Sequence, residues 1–175
     1  FPNSFKGIYT THLGEFQRLY FHCKNEDVNC AEWIDGEYCE NVNHYIQFDN
    51  MKTLDYEFLN KIQRNLRYNH LDSDQVIILK GPSTFIISNE LYNPIYIVDN
   101  APSLLATAGT GDVLSGILVS LLSQGYSRLE ASILGTYLHA EAANYYMNNI
   151  SKDGMTASDL IDCIPHAFNI LRNNE

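Results

Sequence analysis

A chain of 175 residues, 45% hydrophobic and 18% charged, has the length and composition of one globular domain and would bury roughly 70% of its unfolded surface. Its net charge of -10 argues against nucleic acid and anionic membrane surfaces as partners, because both are bound through clustered Lys and Arg. Any anionic ligand must be held by local backbone donors and a few cations, against the field of the whole molecule.

No apolar run reaches the roughly 18 residues of a membrane span. Phe1 to Lys6 show no signal-peptide pattern, so the expected location is cytoplasmic. The sequence opens on Phe1 rather than Met, which reads as a start inside a longer protein. Ile8-Tyr9-Thr10-Thr11 is β-prone and leads through His12-Leu13-Gly14-Glu15 into a helix with Phe16 and Leu19 on one side. From His22 to about Asp55 the chain is polar and acidic without a sustained period, the mark of a long, loosely packed loop or insertion. Helical spacing returns between Tyr56 and Tyr68 with Phe58, Leu59, Ile62 and Leu66.

Val76-Ile77-Ile78-Leu79 is a continuous aliphatic run, as in a strand buried on both faces. Gly81-Pro82-Ser83 is turn chemistry, and Thr84 to Ser88 and Ile95 to Val98 are two further strands. Val113 to Gln124 is a nearly all-apolar helix, expected to be buried all round, and Gly125 closes it. A longer helix from about Arg128 to Asn148 turns Ile133, Leu134, Tyr137, Leu138 and Tyr145 toward a core. The last helix starts near Thr156-Ala157-Ser158-Asp159, where hydroxyls cap and an acid suits the positive end. Pro165 is expected to kink or restart it.

The sharpest local signal is Ala106-Thr107-Ala108-Gly109-Thr110-Gly111-Asp112, directly before the apolar helix. The glycines permit close backbone approach, and the helix start offers unpaired N–H groups at the positive end of its dipole. Asp112 in the first turn would stand beside a bound anion with a carboxylate free to take a proton. The bland alternative is a glycine turn with Asp112 as a cap. Lys80-Gly81-Pro82-Ser83-Thr84 places a cation and hydroxyls at a strand end, where they would hold phosphate or ribose oxygens or simply turn a hairpin. His12 sits at a strand-to-helix junction, a common place for ligand-binding groups in α/β enzymes, or is a cap. His139 and Glu141 pack or face solvent. His22, Cys23, Cys30, Cys39 and His44 carry Cys-x6-Cys and Cys-x8-Cys spacings that fit no common zinc site. With Cys163 the four cysteines form no Cys-x-x-Cys pair and read as reduced thiols.

Taken in order, five segments resemble the ADP/ATP-dependent NAD(P)H-hydrate dehydratases of the ribokinase-like superfamily. They are Thr10 to Leu19 with its His-x-Gly-Glu, Leu79 to Thr84 with its Lys-Gly-x-x-Thr, Ala106 to Ile117, Tyr137-Leu138-His139, and Gly154 to Leu160 with its Ala-Ser-Asp-Leu. The glycine-Asp segment alone is shared with many small-molecule kinases; the combination is far more specific. This chain has Leu13 where the family carries Pro, and its stretch at about 21–55 is longer than the family's.

The resemblance implies a three-layer α/β/α ribokinase-like fold. Residues 1–175 would be the C-terminal portion of one such domain, with its N-terminal part missing from this chain. It implies dehydration of hydrated NADH or NADPH back to NAD(P)H, with ADP or ATP as co-substrate and Mg2+ accompanying the phosphates. Asp112 would be the catalytic base and would also touch substrate together with His12. Lys80, Gly81, Pro82, Ser83 and Thr84, with Gly109, Thr110 and Gly111, would bind the nucleotide. No metal-ligand set is visible. A homo-oligomer and an upstream epimerase domain are further partners the family allows. The alternatives are a ribokinase-like kinase of a vitamin precursor using the same Asp112, and a truncated, non-catalytic module.

Overall fold

The computed structural model describes residues 7–16, 32–34, 37–39, 59–60, 62–63, 75–89 and 94–173. Six strands lie among them: β1 (Gly7–His12), β2 (Glu32–Ile34), β3 (Glu37–Cys39), β4 (Gln75–Lys80), β5 (Thr84–Ser88) and β6 (Tyr96–Val98). The main sheet has the order β1-β4-β5-β6. β1 runs parallel to β4, and the β4/β5 and β5/β6 pairs are antiparallel. Three long helices follow: α1 (Thr110–Ser123), α2 (Arg128–Asn149) and α3 (Ala157–Asn173).

The period of two in the β4 sequence builds the layers. Val76 and Ile78 join Ile86 on one face and pack against Leu114 and Leu118 of α1 and Leu129 and Ile133 of α2. Ile77 and Leu79 join Ile87 on the other face, against Phe16, Leu59 and Ile62, and residues 13–16, 59–60 and 62–63 are helical. Helices thus cover both faces, the α/β/α arrangement expected from the sequence. Leu19, Phe58 and Leu66 lie outside the described residues. α3 packs on α1 and α2 through a third cluster that includes Val113, Leu138, Met155 and Leu160.

Two readings of the sequence change, those of α1 and of Pro165. The α1 segment is buried on one side only: Leu114, Leu118 and Leu121 are buried, while Val119 is 65% exposed and Leu122 37%. A helix in an outer layer turns one side to the sheet, and the small Ser115, Gly116 and Ser120 leave the rest open. On α2, Leu138 is buried and Ile133, Leu134 and Tyr145, partly buried, pack against the core as expected. The buried positions are mostly small (Ala131, Ser132, Gly135, Ala140, Ala142 and Ala143). α2 touches α1, α3 and the sheet together, and small side chains permit that approach. α3 runs unbroken through Pro165, so proline does not restart it.

Most of the 21–55 stretch lies outside the described residues, His22, Cys23, Cys30 and His44 included. Within it β2 and β3 pair antiparallel, with Ile34 opposite Glu37, where the sequence was read as loop. The signal was the Asp35-Gly36 dipeptide between two short runs, the strongest local hairpin pattern.

Helix ends follow local chemistry. Gly125, at φ 94°, ends α1; its amide donates to Leu122 O and the Tyr126 amide to Leu121 O, the paired bonds of a Schellman motif. Ser127 and Glu130 open α2 with reciprocal bonds, and Thr156 and Asp159 do the same before α3. Bonds from the Ser127 and Thr156 hydroxyls first, then their amides, hold both carboxyls below their usual range.

Candidate active site

Parallel pairing brings the C-terminal ends of β1 and β4 side by side, with His12 in register with Lys80. The Lys80 ammonium nitrogen lies 3.4 Å from the point where a Cβ at Gly111 would stand. His12, Lys80 and the glycine turn, far apart in sequence, therefore meet at one edge of the sheet.

The turn itself is tightly specified. Gly109 sits at φ 86°, a left-handed conformation that a side chain disfavours, and a Cβ there would stand 3.1 Å from Ala157 Cβ. The buried Thr110 hydroxyl reaches Leu105 O at 2.7 Å and Thr107 O at 2.8 Å, so that hydroxyl is committed to structure. The Asp112 and Val113 amides both donate to Gly109 O, and the Thr110 amide to Thr107 O. The Gly111 amide finds no backbone acceptor among the described residues, as the first turn of a helix leaves it. A cation thus stands beside the residue whose amide lacks a backbone acceptor, and Asp112, exposed, is next along the helix.

Asp112 also lines a groove of about 550 Å³ between α1 and α3, walled by apolar side chains including Ile117, Leu121, Ile164 and Phe168. Its size is that of a small-molecule site. In the β4–β5 hairpin Gly81 and Pro82 are exposed, Ser83 is half-buried, and Thr84 is buried where β5 begins.

His12 is held by a local device. Its amide donates to Glu15 Oε2 at 2.9 Å, and the Glu15 amide donates to His12 Nδ1 at 3.2 Å. With Nδ1 accepting, the ring proton is on Nε2, which lies 3.3 Å from Glu15 Oε1. A Cβ at Gly14 would come within 3.3 Å of the imidazole, so the glycine lets the ring lie over the turn.

Three contributors had no assigned role in the sequence reading. Glu15 belongs to the His-x-Gly-Glu segment, with no local sign that it orients the imidazole. Ala157 belongs to the Ala-Ser-Asp-Leu segment, yet nothing local shows that it abuts Gly109. His139 is buried and places Nε2 2.8 Å from Thr110 O. Burial holds its pKa below the usual 6.5; the bond to the Thr110 carbonyl opposes this and the Lys80 charge adds to it.

Residues 3–166 match the family model described as NAD(P)H-hydrate dehydratase. The bifunctional NAD(P)H-hydrate repair enzyme Nnr of Dictyoglomus turgidum is 33% identical over 126 residues, covering 71% of this chain and 24% of that protein. The ADP-dependent (S)-NAD(P)H-hydrate dehydratase of Neisseria meningitidis is 39% identical over 97 residues, 55% of this chain and 31% of that one. The ADP/ATP-dependent NAD(P)H-hydrate dehydratase from Bacillus subtilis, co-crystallized with ATP/Mg2+ and soaked with CoA, superposes with a TM-score of 0.67 at 21% identity. That superposition covers 94% of this chain and 48% of the other, and a ribokinase-like superfamily protein from Enterococcus faecalis superposes with a TM-score of 0.54. This chain spans less than half the length of each of the first three relatives. With the ribokinase-like fold and a match over 3–166 of its residues, the chain belongs to the NAD(P)H-hydrate dehydratase family.

Proposed function

We propose that this chain supplies the phosphate-binding and acid/base part of an enzyme that dehydrates hydrated NADH or NADPH to NAD(P)H, using ADP or ATP as co-substrate. The observation that carries the reading is the Lys80 ammonium beside Gly111 at the start of α1, one residue before Asp112, which lines an apolar groove. Phosphate oxygens would be met by the ammonium, the hairpin residues Gly81 to Thr84, and the backbone of Gly109 to Gly111, its Gly111 amide above all. The groove would take the apolar body of the nucleotide. His12 would contact the hydrated dinucleotide.

The ring hydroxyl of the hydrate is a poor leaving group. Asp112 would remove its proton as the terminal phosphoryl is transferred, so that an oxygen–phosphorus bond forms and a phosphoanhydride bond breaks. The C–O bond of the new phosphate ester then breaks to release inorganic phosphate while the neighbouring ring carbon gives up a proton to water and the ring double bond forms, completing the loss of water. Donors aimed where charge develops stabilise such a transfer, and Lys80 and Gly111 would fill that role. Among the described residues no three His, Cys, Asp or Glu side chains cluster. Magnesium would be carried by the phosphates, with Asp112 the carboxylate lining the groove, and would supply charge neutralisation.

Residues 1–175 are read as the C-terminal portion of one domain, with an insertion at about 21–55. An upstream epimerase domain, a homo-oligomer and a cytoplasmic location complete the proposal; relatives named bifunctional repair enzymes support the first, and no described helix is long and apolar enough to cross a membrane.

The test is incubation of the complete protein with hydrated NADH and ADP or ATP, following reduced-dinucleotide absorbance. Regenerated absorbance with stoichiometric release of phosphate is expected. A stable phosphorylated alcohol formed from a vitamin precursor, without regeneration, would move the assignment to a kinase. No binding of ADP or ATP at millimolar concentration would leave a non-catalytic module.

A further inference from the structure

Thr110 C=O and Gly111 N–H belong to one peptide unit. That unit is planar and trans, so its carbonyl and its N–H point in opposite directions. Whatever fixes the carbonyl therefore fixes where the N–H is aimed. His139, from the middle of α2, brings Nε2 to 2.8 Å from that carbonyl, across 29 residues of sequence. The carbonyl only accepts, so Nε2 carries the proton and donates. On the other side of the unit stands Gly111, with the Lys80 ammonium 3.4 Å from its would-be Cβ.

We propose that His139 is a positioning residue: by holding the Thr110 carbonyl it aims the Gly111 N–H, beside Lys80, at the phosphate of the bound nucleotide. The Thr110 hydroxyl anchors the same residue to Leu105 O and Thr107 O, so the peptide unit is held at its side chain and at its carbonyl. Both holding groups are buried, His139 at 7% and Thr110 at 4% exposure. A hydrogen bond shielded from water loses little to competition, and it polarises the peptide so that its N–H is a better donor. An aliphatic residue at 139 would fill the space but remove this bond, leaving the unit held by the first turn of α1 alone. The nucleotide part of this inference rests on the function proposed above; the aiming of the peptide does not.

The experiment compares the parent with His139→Leu, which keeps bulk and removes the donor, and His139→Gln, which returns an N–H at a similar reach. Two readouts are taken on the intact protein: the dissociation constant for ADP, and the amide nitrogen resonance of Gly111, which senses the hydrogen bond on its own peptide carbonyl. The Leu variant is expected to shift the Gly111 resonance and weaken ADP binding by about tenfold or more, and the Gln variant to recover much of both. Should the Leu variant fail to fold, His139→Asn, whose amide stops short of the carbonyl, replaces it with the same expected losses. A loss confined to melting temperature, with ADP affinity and the Gly111 resonance as in the parent, overturns the proposal. A parent that binds no ADP, but whose Gly111 resonance still responds to Leu and recovers with Gln, sinks the nucleotide reading and upholds the aiming role. A Gly111 resonance indifferent to residue 139 overturns the aiming role whatever the parent binds.

Discussion

Two turns lead into helices at the edge where β1 and β4 end, and they are held in opposite ways. The turn at residues 12–15 is self-contained: its bonds join residues three apart, and the His12 and Glu15 side chains are 60% and 51% exposed. The turn at 109–112 is assembled from distant parts of the chain. Its left-handed glycine rests on Ala157, its threonine hydroxyl is tied back to 105 and 107, and its Thr110 carbonyl is held from α2. Breaking an exposed, local pair returns its groups to water at little cost. Breaking a buried one strands polar atoms. Ligand-side function and stability should therefore separate at the first turn and remain coupled at the second.

The largest effect is expected inside the second turn but at its one exposed carboxylate. Asp112→Asn keeps size and removes the base, so turnover should fall by about 100- to 10,000-fold. Removing a carboxylate beside phosphate should leave ADP binding intact or tighten it. Turnover within a factor of two of the parent, measured on the complete protein, would reduce Asp112 to a helix cap.

Next comes Gly109→Ala, where the coupling of stability and binding should be most visible. A side chain at φ 86° costs about 1–2 kcal/mol, and its Cβ would press on Ala157 at 3.1 Å. Chemical denaturation should show at least the conformational part, with weakened ADP binding beside it. Ala157→Gly in the same protein should relieve the contact and leave the backbone cost. A Gly109→Ala protein as stable as the parent, binding ADP equally, would mean the turn tolerates a side chain and is not over-determined.

The same contrast explains what could be read from the sequence. The glycines, Asp112, the Lys80 turn and His12 were legible because each depends on its neighbours: positive φ, a helix start, a strand end. The aliphatic β4 run announced a strand covered on both faces, and the layers follow from it. His139 and Ala157 were not legible as site residues, since their meaning lies in a carbonyl and a glycine brought close only by packing. The exposed side of α1 was misread for a related reason. Val119 and Leu122 are as apolar as Leu118 and Leu121, and composition alone does not say which side meets the sheet.

The smallest effect, and the most direct test of the comparison, is Glu15→Gln. The amide oxygen still accepts from the His12 backbone, so the turn should keep its shape, while the charged contact with Nε2 is lost. An exposed contact between a carboxylate and a ring N–H contributes no more than an exposed ion pair, about 0.2–1 kcal/mol, so the melting temperature should barely move. ADP affinity should stay as in the parent, because no part of the 109–112 turn depends on this side chain. The KM for the hydrated dinucleotide should rise by a few-fold, about what a loss of 1 kcal/mol in holding the imidazole would give, with kcat nearly unchanged. If ADP affinity fell in step with that KM, the two turns would be one cooperative unit, and the distinction between a local, exposed device and a buried, long-range one would not describe this protein. A stability loss above about 2 kcal/mol would break it from the other side, since an exposed pair does not hold that much.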